Sequence, residues 1–172
     1  MKSVERMKGL LAKPVSRYVA SIIDGAIVMG IVIGLNYFGS YKGYDVESLN
    51  SFVIFSFIVK LLTYLFIDVA IPYLYDGKTI GRTVMGITLY QENGKKVDIF
   101  LLLKRSSIFI LIAIVSDILF LSNISFALWA VVFMVSIYLI YTDTLRQTVH
   151  DKLAKSVMLD DKKLIEDKNK GK

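Results

Sequence analysis

The chain has 172 residues, is 55% hydrophobic, carries a formal net charge of +6, and contains no cysteine and a single histidine, His150. Its length bounds it to one compact unit, and its apolar content exceeds the roughly 45–50% of a soluble domain. The absence of cysteine excludes disulfides, thiolate zinc sites, iron–sulfur clusters and cysteine nucleophiles, and one histidine argues against a histidine-based metal centre, so no cofactor is expected.

Residues 1–14 form a basic amino end, and a first apolar span is predicted over 15–37. Asp24 interrupts that span and no A-x-A-like site follows, so it reads as an uncleaved helix. Ala26, Gly30 and Gly34 recur every fourth residue on it. The Gly30-x-x-x-Gly34 spacing lets another backbone approach closely, which predicts a helix-packing face toward the same chain's bundle or a second copy. Further spans are predicted over 52–75, 99–121 and 124–141, each near the roughly 17–25 residues that cross the hydrocarbon. Lys104, Arg105, Ser106 and Ser107 shorten the apolar part of the third to 108–121, which leaves a re-entrant or interfacial segment as its alternative. Ser122-Asn123 joins the third and fourth spans into a tight antiparallel hairpin. Between the second and third spans, residues 76–98 alternate about Asn93-Gly94 and predict a small β-hairpin at the membrane surface. Residues 160–172 mix acidic and basic side chains and read as a solvated or frayed tail. The predicted fold is an all-α membrane protein: a four-helix transmembrane bundle over 15–159 with that β-hairpin between its second and third helices.

The basic residues fix an orientation. Lys2, Arg6, Lys8, Lys13 and Arg17 precede or open the first span. The first loop holds only Lys42 and the third loop none. Lys78, Arg82, Lys95, Lys96, Lys104 and Arg105 follow the second span, and Arg146 opens a basic carboxyl end. By the positive-inside rule both termini are cytoplasmic. The basicity is then a topology signal that also holds the inner face against anionic lipid, rather than a stripe for nucleic acid.

Charges inside the spans are the most informative feature. Asp24, Lys60, Asp68 and Asp117 lie within apolar runs, where each bare charge costs roughly 2.5–3.5 kcal/mol even on a lenient insertion scale. Arg17 and Asp24 are two turns apart on one helical face, with Arg17 able to snorkel at the boundary. Asp24 lies about 10 Å deeper and Asp68 about 12 Å above its own inner edge at 1.5 Å per residue. The two carboxylates therefore share a depth and are expected to approach, sharing a proton or a cation, with Arg17 or Arg105 compensating. Further out, Lys60 and Asp117 make a plausible pair on depth. Three meanings remain open for these charges: ion pairs that fix helix register, a ligand, proton or ion site, and a surface for a partner membrane protein. Trp129, Tyr138 and Tyr141 read as lipid-facing or interfacial residues. His150 reads as a structural hydrogen-bonding group, with a pH-responsive role as the alternative.

Three enzymatic patterns fail. Gly77-Lys78-Thr79 resembles the end of a P-loop, but Pro72 stands where its first glycine belongs. Ile23 and Ile67 precede the two acids, unlike the motifs of intramembrane aspartyl proteases, and the Ser56–Lys60 spacing arises readily by chance. No enzymatic activity is expected.

The order of the remaining motifs resembles the RDD family of small bacterial membrane proteins, named for an arginine and two aspartates in its first two spans. Arg17 in Ser16-Arg17-Tyr18-Val19-Ala20 matches the arginine, Asp24 the first aspartate, and Asp68 in Phe66-Ile67-Asp68-Val69 the second. Asp76-Gly77-Lys78-Thr79-Ile80-Gly81-Arg82, Arg105 and the closing Arg146-Gln147-Thr148-Val149-His150-Asp151-Lys152-Leu153-Ala154 extend the likeness over about residues 14–159. Departures are the Thr148-Val149 before His150 and Arg82 where lysine is common. The resemblance implies a polytopic protein of the bacterial inner membrane, with transport of ions or small ligands as the proposal attached to the family. The residues themselves favour transport of a cation, proton or small ligand through an oligomer. Asp24 and Asp68 would bind it, Arg17 and Arg105 would tune them, and Lys60 would be the counter-ion. The alternative is a non-enzymatic accessory subunit that binds and regulates another membrane protein.

Overall fold

The computed structural model describes residues 7–41, 49–117 and 122–170. Four apolar helices dominate it. Helix α1 (Pro14–Tyr41) opens on a proline, whose fixed φ and missing N–H suit a first helical turn. Helix α2 (Leu49–Tyr64) runs into a π-helical segment, Leu65–Ala70, and ends in the short α3 (Ile71–Leu74). Two stretches, Pro14–Leu35 and Ile54–Leu74, are long and apolar enough to cross a membrane, yet only 11% and 22% of their most apolar windows are buried inside the protein. Apolar helices this exposed have lipid, not a protein core, as their solvent. Helix α5 (Ile99–Asp117) carries Lys104 and Arg105 near its start, and α6 (Ser122–Thr142) contains a shorter apolar stretch, Ala127–Thr142. The predicted third-to-fourth connection lies partly outside the described residues.

The π segment has a local cause. Pro72 offers no N–H to the carbonyl four residues earlier, that of Asp68. The helix widens there, and the Ile71 N–H reaches back five residues to the Phe66 carbonyl. Such a bulge re-aims the side chains it contains. The long helices pack in chain order, α1 on α2, α2 on α5 and α5 on α6.

At the basic end of these helices sits a small sheet. Of the predicted hairpin over 76–98 the structure keeps one β-bridge, Tyr90 with Lys96, and a cross-turn bond from the Gln91 N–H to the Lys95 carbonyl at 3.0 Å. The turn at Asn93-Gly94 does exist, with the Gly94 N–H donating to the Gln91 carbonyl at 2.9 Å. But strand β1 (Ile87–Gln91) pairs antiparallel along its whole length with β2 (Ser156–Asp160), register Ile87 to Asp160 and Gln91 to Ser156. Alternation explains the choice. Val157 and Leu159 face one apolar cluster with Met7 and Leu11, while Met158 faces another with Ala12, Ile87, Leu89 and Leu102. The charged stretch 95–98 offers no such two-sided burial.

Two short helices complete this end. Helix α4 (Ile80–Val84) starts at Thr79, whose hydroxyl accepts from the Arg82 N–H. Helix α7 (Val149–Ala154) starts with a reciprocal capping box between Thr148 and Asp151. The predicted frayed tail is instead helix α8 (Asp161–Lys170). Asp161 accepts from Lys78 Nζ at 2.6 Å and from Thr88 Oγ1, and Lys163 Nζ donates to the Gly9 and Leu11 carbonyls. The charges that read as solvated are used to dock the helix.

A charged cavity among the helices

A cavity of about 530 Å³ lies among the four long helices, and each presents one face to it. Helix α1 contributes Arg17, Ser21, Asp24, Val28 and Val32, and α2 with its π segment contributes Lys60, Tyr64 and Asp68. Helix α5 contributes Arg105 and Phe109, and α6 Trp129, Phe133, Ser136 and Ile140. Steps of three or four residues are what one helical face requires. Arg82, Thr148, His150 and Met158 close the end nearest the sheet. Phe109 stacks on Trp129 at 5.1 Å and on Tyr64 at 6.3 Å. The five predicted binding residues, Arg17, Asp24, Lys60, Asp68 and Arg105, therefore line one cavity. Their surroundings differ from one another.

Asp24 and Asp68 line the same cavity and the charge of Asp24 acts on Asp68, but their hydrogen bonding differs. Asp24 accepts from Thr79 Oγ1 at 2.6 Å and from the Gly81 N–H at 2.8 Å, clamping the start of α4 to α1. Gly81 is required for that approach, because a Cβ there would stand 2.2 Å from the Ala20 carbonyl oxygen. Asp68 accepts no hydrogen bond among the described residues, although the charges of Arg105, Arg82 and Asp24 all act on it. Arg17 does not snorkel. It is 3% exposed and donates to the Asp151 carboxylate and the Arg146 carbonyl. Lys60 lines the cavity. Asp117 is the last residue of α5, and its side chain, with the proposed Lys60–Asp117 pair, lies outside the described residues. The Ala26, Gly30 and Gly34 face is exposed, and no described atom comes within 4 Å of a Cβ built on Gly30 or Gly34. Among the described residues nothing packs against Gly30 or Gly34.

Sequence reading missed the residue that organises this end. Asp151 is wholly buried and binds Arg17, Arg105 Nε at 3.0 Å, Thr148 Oγ1 at 2.8 Å and Ser156 Oγ at 3.1 Å. It thereby joins α1, α5, α7 and β2. Burial alone would raise its carboxyl, but Arg105, Arg17 and the hydroxyl donor hold it well below the usual carboxylate range. Its signal was the Thr148-x-x-Asp151 capping spacing, which locates a helix start but not a distant arginine. Arg82 was also missed. It is 3% exposed, donates from Nη1 to the Gly77 carbonyl at 3.0 Å, and is pushed down to about 9 by burial and by Arg105, against the pull of Asp68, Asp24 and Asp151.

Among the described residues His150 makes no hydrogen bond of the expected kind. Its Nδ1 is buried without a partner, and its ring packs on Phe109 at 5.2 Å. Burial, with Arg105 second, pushes it down to about 3, so it is neutral near pH 7. Arg17 Nε, Tyr18 Oη and Ser136 Oγ are likewise buried and unpartnered. Among the described residues no cluster of histidine and carboxylate side chains is arranged to hold a metal ion.

No curated protein and no solved structure gives a significant match to this chain. The family model that does match is that of the RDD family, over residues 11–155. That stretch contains the four helices around the cavity and both ends of the Arg17–Asp151 pair, and the chain belongs to the RDD family.

Proposed function

We propose that this membrane protein moves a proton, a small cation or a small ligand through the cavity, with Asp68 as the exchangeable group. The observation that carries this reading is the contrast between the carboxylates. Asp24 and Asp151 have their oxygens committed to donors from neighbouring elements, whereas Asp68 lines the cavity without accepting a hydrogen bond among the described residues. An ionisable side chain at membrane depth is a functional candidate by default, and the Pro72-induced bulge supplies a reason for its aim. Arg82 and Arg105 tune it, and Lys60 is the outer counter-charge. Sheet and basic residues gather at one end, which supports a bacterial inner-membrane protein with both termini cytoplasmic, resting on anionic lipid. Four helices are few for a path, so it works as an oligomer and performs no enzymatic step.

The test is flux into liposomes carrying a pH dye, under Na⁺ and K⁺ pulses, at equal folded incorporation. Asp68→Asn is expected to lower flux at least about tenfold, the scale set by 1.4 kcal/mol. Full flux in that variant removes the reading. A second reading, an accessory subunit for another membrane protein, is favoured by one observation: the open Ala26, Gly30 and Gly34 face. A stoichiometric partner in a mild-detergent pull-down, lost in Gly30→Leu, supports it; a pure homo-oligomer counts against it.

A further inference from the structure

The lining of the cavity holds unused donors and an unused acceptor. Arg82 spends only Nη1, on the Gly77 carbonyl, and Arg105 only Nε, on Asp151, in hydrogen bonds among the described residues. Their remaining side-chain nitrogens are not sealed off as Arg17 Nε is. Both guanidiniums act electrostatically on Asp68, the carboxylate with no hydrogen bond. Arg17, Arg82 and Arg105 stand against Asp24, Asp68 and Asp151 at this end, and Lys60 lines the same cavity further out. A lone anion would be repelled by Asp68 and a lone cation by two arginines.

Beyond the charged end the lining turns apolar. Val28, Met29 and Val32 of α1 and Trp129 and Phe133 of α6 supply this part of the lining. Met29 is 63% exposed and Phe133 57%, too much for residues around a closed void. The volume suits a small organic molecule and is far larger than a bare ion needs.

We infer that the cavity binds a zwitterionic ligand with an apolar body, its carboxylate or phosphate on the free donors of Arg82 and Arg105 and its primary ammonium on Asp68. The inference rests on the cavity being a binding site, and it names what the site takes. Two sources share this chemistry: a phospholipid with an ethanolamine head, entering from the bilayer between α1 and α6, and an apolar amino acid arriving from water.

Trp129 is the only tryptophan in the chain and lines the cavity, so its emission reports occupancy. Purified protein in a fixed concentration of maltoside detergent would be titrated with lauroyl lysophospholipids differing only in the head, and with leucine. Lysophosphatidylethanolamine is expected to bind about tenfold tighter than lysophosphatidate, which lacks the ammonium, and lysophosphatidylcholine, whose ammonium has no N–H. Leucine displacing that signal assigns the water-borne source, and no displacement assigns the lipid; either carries the proposal. Equal affinity for all three heads overturns it, and this comparison needs only the unaltered protein. Asp68→Asn should erase the preference for the primary ammonium, and a variant that retains it also overturns the assignment. Because head selectivity is read from binding alone, absent ion flux leaves it standing, whereas lost selectivity ends it whatever the flux.

Discussion

At the scale of the residue, two buried titratable neighbours act in separate pH windows. His150 is held near 3 in the folded protein against 6.5 in an unfolded chain. Between these values the unfolded chain binds a proton that the folded one refuses, so stability falls as pH drops below about 6.5. The slope is about 1.4 kcal/mol per pH unit, or about 2 kcal/mol lost by pH 5. Asp151 is shifted in the same direction but from a lower starting value. Its folded value is depressed, so its contribution is intact above the unfolded value of about 3.9 and disappears only as pH falls toward the folded one. Acid sensitivity between pH 7 and 5 therefore belongs to His150. His150→Phe should flatten the melting temperature over that range in detergent, and a variant that keeps the wild-type slope would assign the sensitivity elsewhere. A pH-responsive His150 is only the alternative reading of the sequence, and the role of Asp151 is not read from it at all. His150 and Asp151 sit in a polar stretch with no hydropathy anomaly, and their partners Arg17, Arg105 and Phe109 are far away in the chain.

At the scale of the element, contact between α1 and α4 sets the inner end of the cavity. Thr79 caps α4 and also donates to Asp24, so one residue both starts the helix and docks it. Gly81→Ala would push a methyl group into the Ala20 carbonyl and against the Asp24 carboxyl carbon, 2.2 Å and 3.0 Å from the new Cβ. Backbone cannot yield as a flexible side chain can, so a loss of about 1–3 kcal/mol is expected, read as a lower detergent melting temperature. Gly30→Ala meets nothing within 4 Å among the described residues and should leave the melt unchanged. A reversal of that order would contradict the docking described here. Sequence patterning located the four long helices, because each coincides with an apolar run, and two of them are long and apolar enough to cross a membrane. It located the sheet less well. Asn93-Gly94 is a strong local turn signal, but β1's actual partner begins at Ser156, and two-sided burial by Val157, Met158 and Leu159 outweighs the turn.

At the scale of the whole molecule, the two ends of the chain are closed on each other around one carboxylate. Ala12 donates to the Met158 carbonyl at 3.0 Å, Leu11 bridges Leu159, and Arg17 reaches Asp151 and the Arg146 carbonyl. Asp151 in turn holds Arg105 at the base of α5 and Ser156 at the start of β2. The bilayer can satisfy the apolar surfaces of the long helices, but it cannot pair Arg17 and Arg105 if this carboxylate loses its charge. Asp151→Asn would leave both guanidiniums short of their counter-ion inside the protein, a change that costs roughly 3–5 kcal/mol when one partner of a buried pair is removed. The loss should be distributed unevenly, because regions stabilised by different contacts open independently. Hydrogen exchange is therefore expected to accelerate together in residues 87–91, 149–154 and 156–160, which the carboxylate ties to α1 and α5. Amides in Ile54–Tyr64, whose backbone bonds lie within one apolar helix, should keep their protection. Uniform acceleration across both regions would mean that the helices and the sheet unfold as one cooperative unit. Unchanged exchange near β1 and β2 would mean that the sheet's apolar clusters, not Asp151, hold the basic end together.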